Sequence, residues 1–229
     1  MSNQYKKRKK ESDTHSWEKV ERKLPDGFSY YYLICKECHL VRYPGPELQK
    51  IQDYSKKNLF LSVRDWILLL LRIGESIYID NPKKNYIAGI TRFQKMLFLI
   101  FYEFASENDI PTENPGFYGY KYGPYSDVID EAIDFLINNE NIIATGTKSS
   151  SKEKFSLTEK GKEKTKNILS KLTRQQRKKL VEFRLYWDQK TTKGLLKKIY
   201  SDPRYSNFLD KSVILDDLFP GRKLYRRRG

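Results

Sequence analysis

Histidine, cysteine and methionine each occur only twice in 229 residues, and these shortages remove whole classes of function. Two histidines leave little scope for a Ser-His-Asp triad, and no phosphate-cradling GxxxxGK[ST] run is present. The glycines around Gly119 lack the strand-and-helix setting of a dinucleotide site. A metal-dependent nuclease needs clustered carboxylates with a lysine. Pro25-Asp26 is there, but the nearest Glu-x-Lys, Glu21 to Lys23, precedes it. A non-enzyme is therefore expected. Apolar runs are also short: Trp66 to Leu71 and Met96 to Tyr102 fall far below the roughly 20 residues that cross a bilayer. No span and no membrane partner are expected. The basic run Lys6 to Lys10 leads into polar residues, so no signal sequence is expected and the cytoplasm is the predicted location.

The two cysteines do not make a disulfide framework. Cys35 and Cys38 have the spacing of a zinc knuckle, which turns two thiolates toward one tetrahedral metal. A structural zinc takes four ligands, and only His15 and His39 remain as soft donors, one of them adjacent to Cys38. Reduced thiols in a hairpin, with no cofactor, are the preferred reading. Zinc on Cys35 and Cys38 stays the alternative.

Charge is abundant and unevenly placed. The net charge of +15 favours a polyanionic partner. Basic runs occupy both ends, Lys6 to Lys10 and Arg222, Lys223, Arg226, Arg227 and Arg228. Residues 146–198 hold 17 basic side chains against 5 acidic ones, whereas residues 101–145 hold 9 acids and only Lys121 as a base.

Residues 1–16 are polar, charged and without apolar periodicity, which predicts a disordered basic arm. Residues 17–60 read as a small β-rich module, with a Pro25-Asp26-Gly27 turn, the aromatic β-prone run Phe28 to Ile34 and a linking helix from Glu47 to Tyr54. Residues 61–172 carry helix signals in series. Ser62 and Asp65 have capping-box spacing ahead of Val63, Trp66, Ile67, Leu70 and Leu71, a helix so apolar that it should be central. Thr91 and Gln94 repeat the spacing ahead of Phe93, Met96, Leu97, Ile100 and Phe104. After Gly123-Pro124, Ser126 offers a cap for a third helix from Asp127 to Asn139. Residues 141–146 and 154–157 read as a hairpin. Thr158 opens a Lys-rich helix to Leu172; a C-terminal helical extension follows at 173–218, opened by another capping pair, Thr173 and Gln176, and a basic tail at 219–229.

Helix, helix, helix, hairpin is the order of a winged helix-turn-helix domain, so a mainly α fold with a small β component is expected. The strings GITRFQKMLFLI, YKYGPYSDVIDEAIDFL, NNENII and KFSLTEKGKE resemble the winged-helix proteins related to the Panacea antitoxin domain and the YwgA-like proteins of bacteria and archaea. The resemblance extends from Ser62 to Ile214 and includes KKIYSDPRYS, with Phe93 where leucine is commoner. It implies a DNA-binding or antitoxin-type adaptor module, and fold analogy alone supplies no function.

In the usual docking the third helix enters the major groove. Here it carries Asp127, Asp130, Glu131 and Asp134 and no base, which sets carboxylates against phosphodiesters. Nucleic acid, DNA ahead of RNA, is instead expected at Lys148, Lys152 and Lys154 of the wing, Lys160 and Lys164 of the next helix, Arg174, Arg177 and Lys178 beyond it, and Arg226, Arg227 and Arg228 of the tail. That reading makes the chain a regulator of transcription associated with the nucleoid. The alternative is a protein adaptor, antitoxin-like, docking a partner through Tyr122, Tyr125, Asp127, Asp130, Glu131 and Asp134. A homodimer is left open. The tyrosines of the YGPYS loop are expected to pack that loop onto the core and position the third helix.

Overall fold

The computed structural model describes residues 15–24, 26–36, 41–81, 85–120, 122–148 and 150–209. Two compact units divide between Lys56 and Lys57. In the first, β1 (Trp17–Lys23) and β2 (Ser29–Cys35) form an antiparallel hairpin pairing Trp17 with Cys35 and Lys23 with Ser29. The two-residue β3 (Val41–Arg42) adds to β2. Gly27 takes φ +90°, a backbone state that glycine reaches without steric cost, and so closes the hairpin. Period-two alternation buries Tyr30 and Tyr32. In α1 (Gly45–Lys57), Tyr54 stacks on Phe28 at 3.9 Å and donates to Asp26.

The second unit is mostly helical and is built around α2 (Val63–Ile77). Its capping box is present as the sequence predicts: Ser62 accepts from Asp65 N, and the Asp65 carboxylate accepts from Ser62 N. The run from Ile67 to Leu71 is not the pattern of one stripe; Ile67, Leu68, Leu69, Leu70 and Leu71 are all buried. A helix apolar all round must be covered all round. It is, by α4 (Asp127–Asn138), α5 (Glu159–Lys171) and α6 (Arg174–Asp188). Between α2 and α4 in the chain lies α3 (Ile90–Leu99), which continues as a π-helical segment, Ile100–Phe104, and a short turn, Ala105–Glu107.

Three short strands flank the helices. The sheet order is β4 (Ile87–Ala88), β8 (Lys154–Leu157), β7 (Ile142–Thr145), antiparallel throughout. The β7–β8 hairpin matches the expected one. Its Gly146 has φ +90°, and a Cβ there would lie 2.6 Å from Lys152 O. The sequence does not announce β4, because two residues are too few to show alternation. The YGPYS loop is itself a hairpin, β5 (Tyr118–Tyr120) with β6 (Gly123–Tyr125).

The core runs from Leu61 to Tyr205, so the helices after Leu172 share it. Leu180 and Trp187 of α6 and Leu195, Leu196 and Ile199 of α7 (Thr192–Ser201) are buried members. A 3₁₀ turn, Pro203–Phe208, closes the described chain. No described helix is long and apolar enough to cross a membrane.

One capping expectation fails. α3 starts at Gly89, φ +79°, without a side-chain cap, and Thr91 lies inside the helix. The Gln94 side chain, expected to fold back on Thr91, reaches across to the third helix instead.

Candidate nucleic-acid interface

A polar joint buried between α3 and α4 sets where the third helix can point. Gln94 Nε2 donates to Ser126 O at 2.9 Å and Asp130 Oδ1 at 2.7 Å, and Gln94 Oε1 accepts from Ser126 N at 3.1 Å. Ser126 caps α4 as expected, its hydroxyl accepting from Ile129 N. Beside it Lys95 is 1% exposed, and its ammonium donates to Pro124 O. Burial pushes the Lys95 amine down to about 7, with the Asp130 charge opposing. Burial likewise raises the Asp130 carboxyl, opposed by its hydrogen bonds from Tyr125 and Gln94.

The tyrosine loop packs as the sequence predicts. Tyr118 donates to Asp127 at 3.0 Å and Tyr125 donates to Asp130. A Cβ at Gly119 would lie 2.9 Å from Phe208 O, and one at Gly123 would lie 3.0 Å from Tyr200 Cε2. Two glycines therefore let the loop sit directly on the C-terminal helical segment. Tyr122, at the turn, is exposed.

These bonds divide the expected docking set. Tyr125 and Asp130 are spent inside the joint. Asp127, Glu131 and Asp134 stay exposed on α4, joined by Phe135, 40% exposed with Arg64 4.0 Å over its ring.

The basic residues divide too. Lys148 lies 3.7 Å from Asp134, an exposed pair that ties wing to third helix weakly. Lys154 sits 4.4 Å over the Tyr86 ring, and Lys178 lies 3.9 Å from Glu182. Lys152, Lys160, Lys164, Arg174 and Arg177 are exposed and have no ionic partner among the described residues. Lys162 and Lys166, alternating with them on α5, are neutralised by Glu75, Glu159 and Glu163. Lys160 and Lys164 are one turn apart on α5, whose 13 residues span about 20 Å at 1.5 Å per residue, and Arg174 opens the next helix after the break at Leu172 and Thr173. The cations are thus strung out instead of clustered. Lys193 and Lys197 repeat the one-turn spacing on α7.

No protein-family model matches this chain, and no curated protein does.

Cys35 is fully buried at the end of β2, whereas Cys38 and His39 lie outside the described residues, as do Lys121 and the basic segments 1–14 and 210–229 with Arg226, Arg227 and Arg228. His15 packs on Trp17 with ring centroids 5.1 Å apart. Among the described residues no group of three or more His, Cys, Asp or Glu could hold a metal.

Gln94, Lys95 and Arg184 are among the buried polar residues whose burial a reading of the sequence misses. A signal exists for each. Gln94 and Lys95 interrupt the otherwise apolar stretch from Phe93 to Ile100. Arg184 falls at i+4 from Leu180 and three residues before Trp187, on the apolar stripe itself.

Proposed function

We propose that residues 57–209 form a winged helix-turn-helix domain that binds DNA by its phosphates and acts as a regulator of transcription. The domain reading is supported by the order α2, β4, α3, α4, β7, β8, with β4 pairing to the second strand of the hairpin. Charge segregation is the observation that carries the function. Exposed cations without ionic partners run from Lys152 of the wing along α5 to the start of α6, while the exposed residues of α4 are Asp127, Glu131, Asp134, Phe135 and Asn138, with no base among them. A track of about 20 Å passes about six phosphates per strand at ~3.4 Å each, enough for a non-specific electrostatic footprint. Phosphate contacts fix register and carry no base information. Lys148, Lys152 and Lys154 supply the wing end of the track.

A mobility-shift series with duplex DNA, single-stranded DNA and RNA at low salt tests this reading. Duplex DNA should shift first, and the shift should fade as salt rises. A chain that shifts none of the three is not a nucleic-acid binder.

The second reading is an adaptor that docks a protein partner on α4. Phe135 favours it, since a large apolar ring exposed between Glu131, Asp134 and Arg64 suits a basic amphipathic partner. Under that reading Phe135→Ser breaks a complex isolated from native cells and leaves DNA binding unchanged.

A further inference from the structure

A cleft of about 800 Å³ opens where the start of α3, the start of α7, the end of α6 and the wing tip meet. Its volume suits a small organic ligand, for which sites run to roughly 300–1,000 Å³. Arg92 and Asp188 line the cleft, and Arg184, buried behind Asp188, leaves the charge there unbalanced. Arg184, 1% exposed, gives Nε to Asp188 at 2.6 Å, and Arg92 Nη2 lies 3.6 Å from the same carboxylate. Two guanidiniums therefore share one anion. Arg184 is otherwise committed to Leu70 O at 2.9 Å and Tyr86 O at 3.0 Å, and its guanidinium lies against Gly74, where a Cβ would come within 2.9 Å of Cζ. Arg92 donates to Lys190 O at 2.8 Å and to Trp187 O, which aims its guanidinium along the cleft wall. Asp188 is the sole carboxylate among the described lining residues, and it is already taken.

Everything added to that charge favours an anion. Lys190 lines the rim, its ammonium 5.1 Å over the Tyr186 ring just outside, and Lys154 stands over the Tyr86 ring. The first residues of α3 and α7 line the same space; the α3 start has no side-chain cap, whereas Thr191 caps α7 by accepting from Gly194 N. Tyr78, Tyr86 and Tyr122 give the cleft aromatic walls. A phosphate alone needs no aromatic wall, and an apolar ring alone needs no surplus guanidinium.

We propose that this cleft binds a nucleotide, with the phosphate held by Arg92 and Lys190 and the base stacked on the tyrosines. The site lies beside the wing end of the proposed phosphate track, where Lys154 stands near both, and does not use the cations of α5. The same chemistry is offered by a free nucleoside monophosphate and by an unpaired nucleotide of a strand.

Titration calorimetry on the full chain tests it with adenosine 5′-monophosphate, uridine 5′-monophosphate, adenosine, inorganic phosphate and a short oligoadenylate. At least one monophosphate should bind more tightly than adenosine or phosphate. Tyr122→Ala and Lys190→Ala, both at exposed positions that leave the core intact, should each weaken it by about tenfold, the loss expected for one stacking or charge-assisted contact. Oligoadenylate binding at least as strongly per site as the best monophosphate assigns the site to a strand; a clear preference for the monomer assigns it to a free nucleotide, and either result upholds the proposal. Absence of monophosphate binding overturns it, as does equal binding of phosphate, or cleft variants that bind like the wild type. Lys160→Glu with Lys164→Glu should leave monophosphate binding untouched while weakening duplex DNA, so failure of one site is distinguishable from failure of the other.

Discussion

Gln94 Nε2 donates to Asp130 Oδ1 at 2.7 Å across 36 residues, and this bond takes one acid off the outward face of the third helix. Asp130 also accepts from Tyr125 and is partly buried, so its carboxylate locks the joint between α3, α4 and the YGPYS hairpin. Asp130→Ala should cost about 1–3 kcal/mol, because Gln94 and Tyr125 each lose a hydrogen-bond acceptor inside the joint. Glu131→Ala with Asp134→Ala, at exposed positions, should stay within about 0.5 kcal/mol of wild type. Urea denaturation separates the two. Equal midpoints would remove Asp130 from the joint.

Lys95 gives the joint a pH dependence of known sign. Its folded amine lies near 7, below the ordinary lysine value, so between pH 7 and about pH 10 the unfolded chain binds more protons than the folded one. Stability contributed by the neutral amine therefore grows as pH rises across that window, and below pH 7 the full cost of burying the charge is felt. The melting temperature should rise from about pH 7 toward about pH 9, and Lys95→Met should flatten that rise. A wild-type melting temperature that shows no rise over the same range, and no difference from Lys95→Met, would place the charge in water.

Gly161 tests how tightly α5 closes on the hairpin. A Cβ there would lie 2.0 Å from Asn141 O, the carbonyl that also accepts from Thr158 N at 3.1 Å. Gly161→Ala should destabilise by about 1–3 kcal/mol, the range for forcing an atom into a packed site. Gly194→Ala, where the nearest atoms are 3.6 Å away inside α7, should instead stabilise by about 0.4–1 kcal/mol. Thermal melts of the two variants should move in opposite directions.

Much of the second unit is legible in the sequence because its signals are local. Ser62 with Asp65, Thr173 with Gln176, Ser126 and Thr158 cap helices within one turn of themselves, and three-residue spacing reveals that directly. Thr91 with Gln94 has the same spacing and fails. The chain enters α3 from β4 through Gly89 at positive φ, which starts the helix earlier, and Gln94 finds a better-placed partner on α4. No local pattern contains that choice. The acidic outward face of α4 and the basic run after it are readable from composition, but which cations stay exposed without partners depends on Glu75 of α2, which neutralises Lys162 and leaves Lys160 and Lys164 alone. The cleft is invisible for a related reason. Tyr78, Arg92, Tyr122 and Asp188 are spread over more than a hundred residues and meet only through the fold.

The most direct test of the phosphate-track account is the salt dependence of duplex DNA binding, measured for the wild type and for Lys160→Ala with Lys164→Ala. The logarithm of the binding constant should fall linearly with the logarithm of salt concentration, and removal of the two lysines should shallow that slope by about two, near one for each phosphate no longer neutralised. Glu131→Ala with Asp134→Ala should leave the slope unchanged. A slope that stays the same without Lys160 and Lys164, or one that changes only with Glu131 and Asp134, would contradict the account.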